Sequence, residues 1–356
     1  MKFCIILGTR PEIIKLSPII RECERRGLDY FLIHTGQHYS YEMDRIFFDE
    51  LKLPLPKYHL DVGSGSHGHQ TGKMLAGIED ILVKEMPDIV YVQGDTNTVL
   101  AGALAASKLH IKIGHVEAGL RSFDRSMPEE INRVIADHIS DLLFAPTEHA
   151  KDLLLEEGIP EEKIFVTGNT VVDAVYENLK IAESSKILEK LGAKPKAYLL
   201  STIHRQENTD DKDRLSEIFK GLGMVSREFK MPVIMPLHPR TRKMLSSFGI
   251  DVPDGLRIIE PIGFMDFLKA ESEARLVLTD SGGVQEECCI LGVPCVTIRE
   301  NTERPETVEV GANVIAGFEH ERIVGATRTM IERRSKWANP FGDGKARKKI
   351  IETSEK

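Results

Sequence analysis

Basic clusters are scarce in this 356-residue sequence. Lysine and arginine total 47 against 55 aspartates and glutamates, a formal charge of 47 − 55 = −8. They gather only in the last dozen residues, which argues against nucleic acid as a partner. Cysteine is scarce too. Cys4, Cys23, Cys288, Cys289 and Cys295 are odd in number and form no C-x-x-C pair. A disulfide framework is therefore not expected, and the five read as reduced core residues of a cytoplasmic protein. No apolar run reaches membrane-spanning length. The N-terminal run 3–7 is too short for a secretory signal and is cut off by Gly8-Thr9-Arg10-Pro11-Glu12. Also missing are the dinucleotide and P-loop fingerprints, the nucleophile elbow and a zinc motif, together with any solenoid repeat.

What the sequence does contain is a rhythm. Short β-type runs at 2–7, 30–34, 89–93, 111–116, 142–145 and 164–166 alternate with amphipathic helical stretches. A second series follows at 198–203, 233–236, 257–259, 276–278 and 295–298. The alternation predicts an α/β fold of two Rossmann-like, doubly wound parallel sheets facing each other across a cleft. A helical stretch at 171–191 and the Gly192–Lys196 break separate the two series. The expected division is an N-terminal domain over 1–170, a C-terminal domain over 171–342, and a terminal helix over 343–356 that packs on either. Residues 62–69 read as a flexible loop. Its His67-x-His69 pair has no carboxylate or thiol beside it, so no metal site is expected there.

In such folds ligands meet the carboxyl ends of the strands, so the residues just past each run carry the information. The stretch 275–304 is one βαβ unit in which Ser281, Gly282 and Gly283 fall where strand hands over to helix. Bare N–H groups there suit a phosphate. Glu286 and Glu287, in the first turns of that helix, are placed to accept hydrogen bonds from ribose hydroxyls, and Arg304 to clamp a diphosphate. The alternative reading is an ordinary helix cap and a tight turn.

The first series ends its strands in Arg10 and Lys15, in Gly94-Asp95, and in Glu117, with Glu129 brought back by the segment 128–133. Asp95, Glu117 and Glu129 converging at one end of a sheet form a general acid/base arrangement. In the second series, strand ends deliver His204-Arg205 and His238, which face the same crevice as the proposed phosphate site. The residues thus indicate a nucleotide held by the second domain and a reacting group presented to carboxylates of the first. The reaction itself stays open.

Longer motifs narrow it. GTRPEIIKLSPII at 8–20, TGQH at 35–38, GDTNTVLAGALAA at 94–106, GHVEAGLRS at 114–122, PEEINR at 128–133, GNTVVDA at 168–174, LTDSGGVQEE at 278–287 and TERPE at 302–306 resemble, in order and spacing, the non-hydrolysing UDP-N-acetylglucosamine 2-epimerases. The resemblance runs nearly the whole length, through NPFGDGKA at 339–346. It implies the glycosyltransferase-B architecture, a cytoplasmic homodimer, no metal or nicotinamide cofactor, and interconversion of UDP-GlcNAc and UDP-ManNAc.

Position by position, the resemblance makes Asp95, Glu117, Glu129 and His204 catalytic, with Arg10 and Lys15 contacting substrate. Ser281, Gly282, Gly283, Glu287 and Arg304 then hold UDP, with Phe267 near the uracil. Gln37, Arg205, Glu207 and His238 match a second, activating UDP-GlcNAc site of bacterial relatives, but Ser40 and His69 depart from that pattern, and Ile262 replaces a glutamine near the uracil. A 2-epimerase of a diacetamido uronic acid, a hydrolysing epimerase, a glycosyltransferase and a non-catalytic UDP-sugar sensor are the alternatives.

Overall fold

A computed structural model describes residues 1–36, 41–333 and 336–356. The chain forms two compact units, Met1–Glu177 with Phe341–Lys356, and Asn178–Pro340. The first is built on strands β1 (Lys2–Leu7), β2 (Asp29–His34), β3 (Tyr58–His59), β4 (Ile89–Gln93), β5 (Lys112–Val116), β6 (Leu142–Ala145) and β7 (Ile164–Val166). They lie in the order β3-β2-β1-β4-β5-β6-β7, all parallel. The second unit holds β8 (Leu199–Thr202), β9 (Val233–Pro236), β10 (Leu256–Ile259), β11 (Leu276–Thr279), β12 (Cys295–Thr297) and β13 (Asn313–Ile315). Its parallel order is β10-β9-β8-β11-β12-β13. The α/β class expected from the alternation is the one observed.

Parallel sheets covered by helices bury both faces, so their strands must be apolar at odd and even positions alike. In the second unit Leu199, Val233, Met235, Leu276 and Leu278 face one core, while Leu200, Ile234 and Val277 face another. Each such side chain contributes roughly 1.5–3 kcal/mol by leaving water. The first unit packs the alanine-rich helix Asn97–Lys108 against Ile6, Val90 and Val92. Its small side chains let the helix lie close to the sheet.

Two short strands lay outside the sequence reading. β3 and β13, each at a sheet edge, are two and three residues long, too short to show an alternating period. The stretch 171–191 is two helices, Thr170–Ala182 and Ile187–Leu191. The loop expected over 62–69 ends early: His67 and His69 open the helix His67–Glu85, behind an extended Ser66. All five cysteines are buried and unpaired. The C-terminal helix Ala346–Ser354 belongs to the first unit. There Arg26 pairs with Glu352 and Glu355 at 3.0 Å, and Tyr91 donates to Ser354 Oγ at 2.6 Å. Among the described residues no helix is long and apolar enough to cross a membrane.

Candidate active site

In the first unit the chain leaves β1 through Gly8 and Thr9 into the helix Arg10–Arg26, with Pro11 in its first turn. Glu12 reaches back along that turn. Its Oε2 accepts from the backbone N–H groups of Gly8 and Thr9 at 2.8 and 2.7 Å, and its Oε1 accepts from Thr96 Oγ1 at 2.5 Å. Burial pushes this carboxyl up to about 7, against the downward pull of those hydrogen bonds. Glu12 therefore ties the β1 turn to the β4 turn that carries Asp95. A Cβ at Gly8 would stand 2.0 Å from Thr35 Oγ1, so the turn admits only glycine.

Glu117 follows β5 in the left-handed region, at φ 70°, a conformation that costs about 1–3 kcal/mol for a residue with a Cβ. Its surroundings hold it there. Lys15 Nζ lies 2.7 and 2.8 Å from the two carboxylate oxygens, Gln93 at the end of β4 donates to Oε2, and Asn169 donates to Oε1 at 3.5 Å. Only 4% of the Glu117 side chain is exposed, against 14% of Lys15. Asp95, after the neighbouring strand, is more open and is paired with Arg133, while Asn132 donates to its carbonyl at 3.0 Å. Arg133 and Asn132 come from the helix Pro128–Ile139, whose first turn presents Glu129 to solvent. Adjacent strands thus place Asp95 and Glu117, with Arg133 drawing the Glu129 helix to the Asp95 turn. Glu129 itself makes no hydrogen bond or ion pair among the described residues. Arg10 is exposed, its guanidinium 5.4 Å from the Phe47 ring centre.

Behind these groups lies a buried brace. His115 Nδ1 meets Asp137 Oδ1 at 2.6 Å, and its Nε2 meets the Gly94 carbonyl at 2.8 Å. Asp137 also accepts from Gly119 N at 3.2 Å and from Arg121 at 2.7 Å. Burial works to lower His115, but Asp137 outweighs it and raises the imidazole above its ordinary value. The brace ties the Gly94 and Gly119 turns, which flank Asp95 and Glu117.

In the second unit Ser281 stands at the N-cap position of the helix Gly282–Leu291, without a side-chain capping bond. Its N–H donates to Thr279 Oγ1 at 2.9 Å, and that hydroxyl pairs with Thr202 Oγ1 at 2.7 Å across β8 and β11. A Cβ on Gly282 or Gly283 would meet no protein atom closer than 3.7 and 3.9 Å. Internal packing does not demand glycine here. Asp280, wholly buried, accepts from the backbone N–H groups of His204 at 3.0 Å and Arg205 at 2.9 Å and from Asn208 Nδ2 at 3.2 Å. It also meets His204 Nδ1 at 2.9 Å. Burial acts to raise the Asp280 carboxyl, but His204 and these backbone bonds hold it below the usual carboxylate range. An Nδ1 hydrogen committed to Asp280 leaves Nε2 of His204 to act elsewhere.

Arg304 meets the buried Glu286 at 2.8 Å and donates to the Glu303 carbonyl at 2.9 Å. Glu286 is thereby an orienting partner of Arg304, and Glu287, half-buried, is left as the ribose candidate. Phe267 packs on an apolar cluster with Ile259 and Ile262. His238 stands 5.8 Å from His204, ring centre to ring centre. Glu207 pairs with Arg299 at 2.8 Å, and Arg205 approaches Glu303 at 3.9 Å. Gln37 and Ser40 lie outside the described residues, and His69 is exposed. No group of three or more His, Cys, Asp or Glu side chains is placed to hold a metal among the described residues.

Sequence reasoning missed Asp280, Glu12, Gln93, Asn169, Asp137 and Arg133. Asp280 carried a signal, since it is the acid directly between the β11 run and the Ser-Gly-Gly turn.

The family model for UDP-N-acetylglucosamine 2-epimerase matches residues 21–355. The UDP-N-acetylglucosamine 2-epimerase of Methanocaldococcus jannaschii is 57% identical over 358 residues, covering 99% of this chain and 98% of that protein. The UDP-2,3-diacetamido-2,3-dideoxy-D-glucuronate 2-epimerase of Pseudomonas aeruginosa is 43% identical over 356 residues, covering 99% of each. The crystal structure of the M. jannaschii UDP-GlcNAc 2-epimerase in complex with UDP-GlcNAc and UDP superposes with a TM-score of 0.89 at 57% identity, covering 99% of both chains.

Proposed function

The chain belongs to the UDP-N-acetylglucosamine 2-epimerase family, and on that premise we propose how its residues divide the work of interconverting UDP-GlcNAc and UDP-ManNAc. The C2 proton of the sugar has no adjacent carbonyl to acidify it, so simple removal and return is unfavourable. Elimination avoids this. A carboxylate takes the C2 proton, the C–H electrons form the C1=C2 double bond of a 2-acetamidoglucal, and the C1–O bond breaks with its electron pair going to UDP. Readdition of the UDP oxygen to C1, with a proton delivered to the other face of C2, inverts that centre.

Asp95, Glu117 and Glu129 form the acid/base set. His204, through its Nε2, and Arg10 stabilise the charge that develops on the departing UDP. Ser281, Gly282 and Gly283 hold the diphosphate with backbone N–H groups, Arg304 clamps it, Glu287 accepts from the ribose hydroxyls, and Phe267 lies by the uracil. Lys15 serves Glu117 as counter-charge while contacting substrate. The observation that carries this reading is Glu117 itself, a nearly buried carboxylate on strained backbone with Lys15 on both oxygens.

The working form is a cytoplasmic homodimer, to be tested by sedimentation. Activation by a second UDP-GlcNAc would involve Arg205, Glu207 and His238 with Gln37. A strictly hyperbolic rate curve for UDP-ManNAc without added UDP-GlcNAc counts against it.

Proton and phosphorus NMR of the protein with UDP-GlcNAc in D2O tests the reaction. UDP-ManNAc carrying deuterium at C2 is expected. Free ManNAc with UDP would point to hydrolysis, and turnover only of modified UDP-sugars to a different substrate. Asp95→Asn and Glu117→Gln should lower kcat far more than they weaken UDP binding, and a variant that keeps most of its turnover leaves the acid/base set.

A further inference from the structure

The helix Phe264–Ser272 packs against the helix Gly282–Leu291, and between them lies an acid that the reaction does not use. Glu271 is wholly buried. Ala270, the residue before it, and Cys288 on the facing helix belong to one apolar core with Ala274, Val277 and Cys295. Glu271 Oε1 accepts from the Cys288 thiol at 3.2 Å. Its Oε2 is buried too and meets no N–H or O–H donor. Besides Cys288, the side chain within hydrogen-bonding reach of Glu271 is the carboxyl group of Glu287.

Two carboxyl groups in contact within an apolar core do not both ionise, and the more deeply buried one keeps its hydrogen. Burial first, and the charge of Glu287 second, push Glu271 well above the ordinary carboxylate range. Burial likewise raises the Cys288 thiol, which keeps its own hydrogen to give to Oε1. One arrangement then satisfies both oxygens of Glu271: Oε1 accepts from Cys288, and Oε2–H donates to Glu287. A neutral acid donating to a carboxylate makes a short, charge-assisted bond. It fixes the rotation of the half-buried Glu287 side chain.

We propose that Glu271 is a positioning residue: hydrogen-bonded to Glu287, it aims that carboxylate at the ribose hydroxyls and so sets the preference for ribonucleotide over 2′-deoxyribonucleotide substrates. The proposal rests on the reading of Glu287 as the ribose ligand.

Titration calorimetry of the full chain with UDP and with 2′-deoxy-UDP measures the preference as a ratio of Kd values. Wild type favours UDP by about tenfold or more, the worth of one hydroxyl hydrogen bond to a charged group. Glu271→Met, similar in volume and without a donor, brings the ratio below about threefold. Glu271→Gln keeps an N–H for Glu287 and a carbonyl for Cys288, and so retains about the wild-type ratio. A merely structural role would leave the ratio unmoved in both variants. A folded Glu271→Met protein with the wild-type ratio overturns the proposal. A wild type without preference, unchanged by Glu287→Gln, overturns the ribose reading and the proposal together. Should Glu271→Met not fold, infrared difference spectra at neutral pH decide: a protonated-carboxyl C=O band must appear in the wild-type-minus-Glu271→Gln spectrum, where the contribution of Glu12 cancels, and its absence refutes the arrangement.

Discussion

Replacing Lys15 by methionine keeps the length of the side chain and removes one charge. The Glu117 side chain is 4% exposed and that of Lys15 14%, so the pair lies in the buried regime, where exposed-pair values of about 0–1 kcal/mol do not apply. Removing one partner leaves the other charge in low dielectric, at a cost of about 3–5 kcal/mol. For a unit of this size that is a fall in Tm of roughly 6–20 °C. Glu117→Gln in the same protein removes the stranded charge, so Lys15→Met/Glu117→Gln should be more stable than Lys15→Met alone. The coupling between the two sites should reach about 2–3 kcal/mol. Thermal unfolding by circular dichroism gives the four corners of the cycle. Trp337, the single tryptophan, lies in the second unit and reports that unit separately. A cost below about 1 kcal/mol, or simple additivity, would refute the view that Glu117 is held as a buried ion by Lys15.

Asp280→Asn replaces the acceptor facing His204 Nδ1 by a group that also carries donors, so kcat should fall by about 100-fold or more while UDP binding changes little; steady-state kinetics beside calorimetry separates the two. Gly119→Ala, at φ 83° and with its Cβ 2.3 Å from the Ala150 carbonyl, should cost more than about 2 kcal/mol of stability, whereas Gly283→Ala should leave Tm unchanged and weaken UDP. Burial, with His59 beside it, pushes His34 down to about 3, so the folded state keeps it neutral where the unfolded chain takes up a proton. Stability from this residue is complete above about pH 6.5 and is lost as pH falls towards 3, about 2 kcal/mol of it by pH 5. His34→Gln should flatten that part of the Tm-against-pH curve.

Strand ends were legible because a parallel sheet announces itself twice, by apolar runs buried on both faces and by the polar break that follows each. Asp95, Glu117, His204 and Ser281 all sit at such breaks, and the structure finds each where its run stops. β3 and β13 were not legible, because two or three residues at a sheet edge carry no period. Nor was the start of the helix at His67, since Gly63-Ser64-Gly65-Ser66 reads as loop and gives no apolar signal for where the loop ends.

Pairing within the site was harder to read than position, for a reason of charge. Lys15 and Arg304 were taken from the sequence as cations for the substrate, and each is also held by an acid of its own unit, Glu117 and Glu286. His204 is held by Asp280, and Arg299 by Glu303. Burial makes this necessary, since a cation placed in a low-dielectric pocket must be neutralised to be kept there. Glu117 and Glu286 stood out by position but their pairing did not, because which carboxylate meets which cation is decided by the sheet and not by the chain. The consequence bears on catalysis. In a protein of net charge −8, the proposed site, with Lys15 and Arg304 already paired, is not expected to hold a diphosphate by excess positive charge alone. On the proposed reading the grip comes from donors fixed in direction, the N–H groups at Gly282 and Gly283 and the guanidinium that Glu286 orients. A grip of that kind can stabilise UDP as it leaves C1 and still release it back to the same carbon, which an inverting return requires.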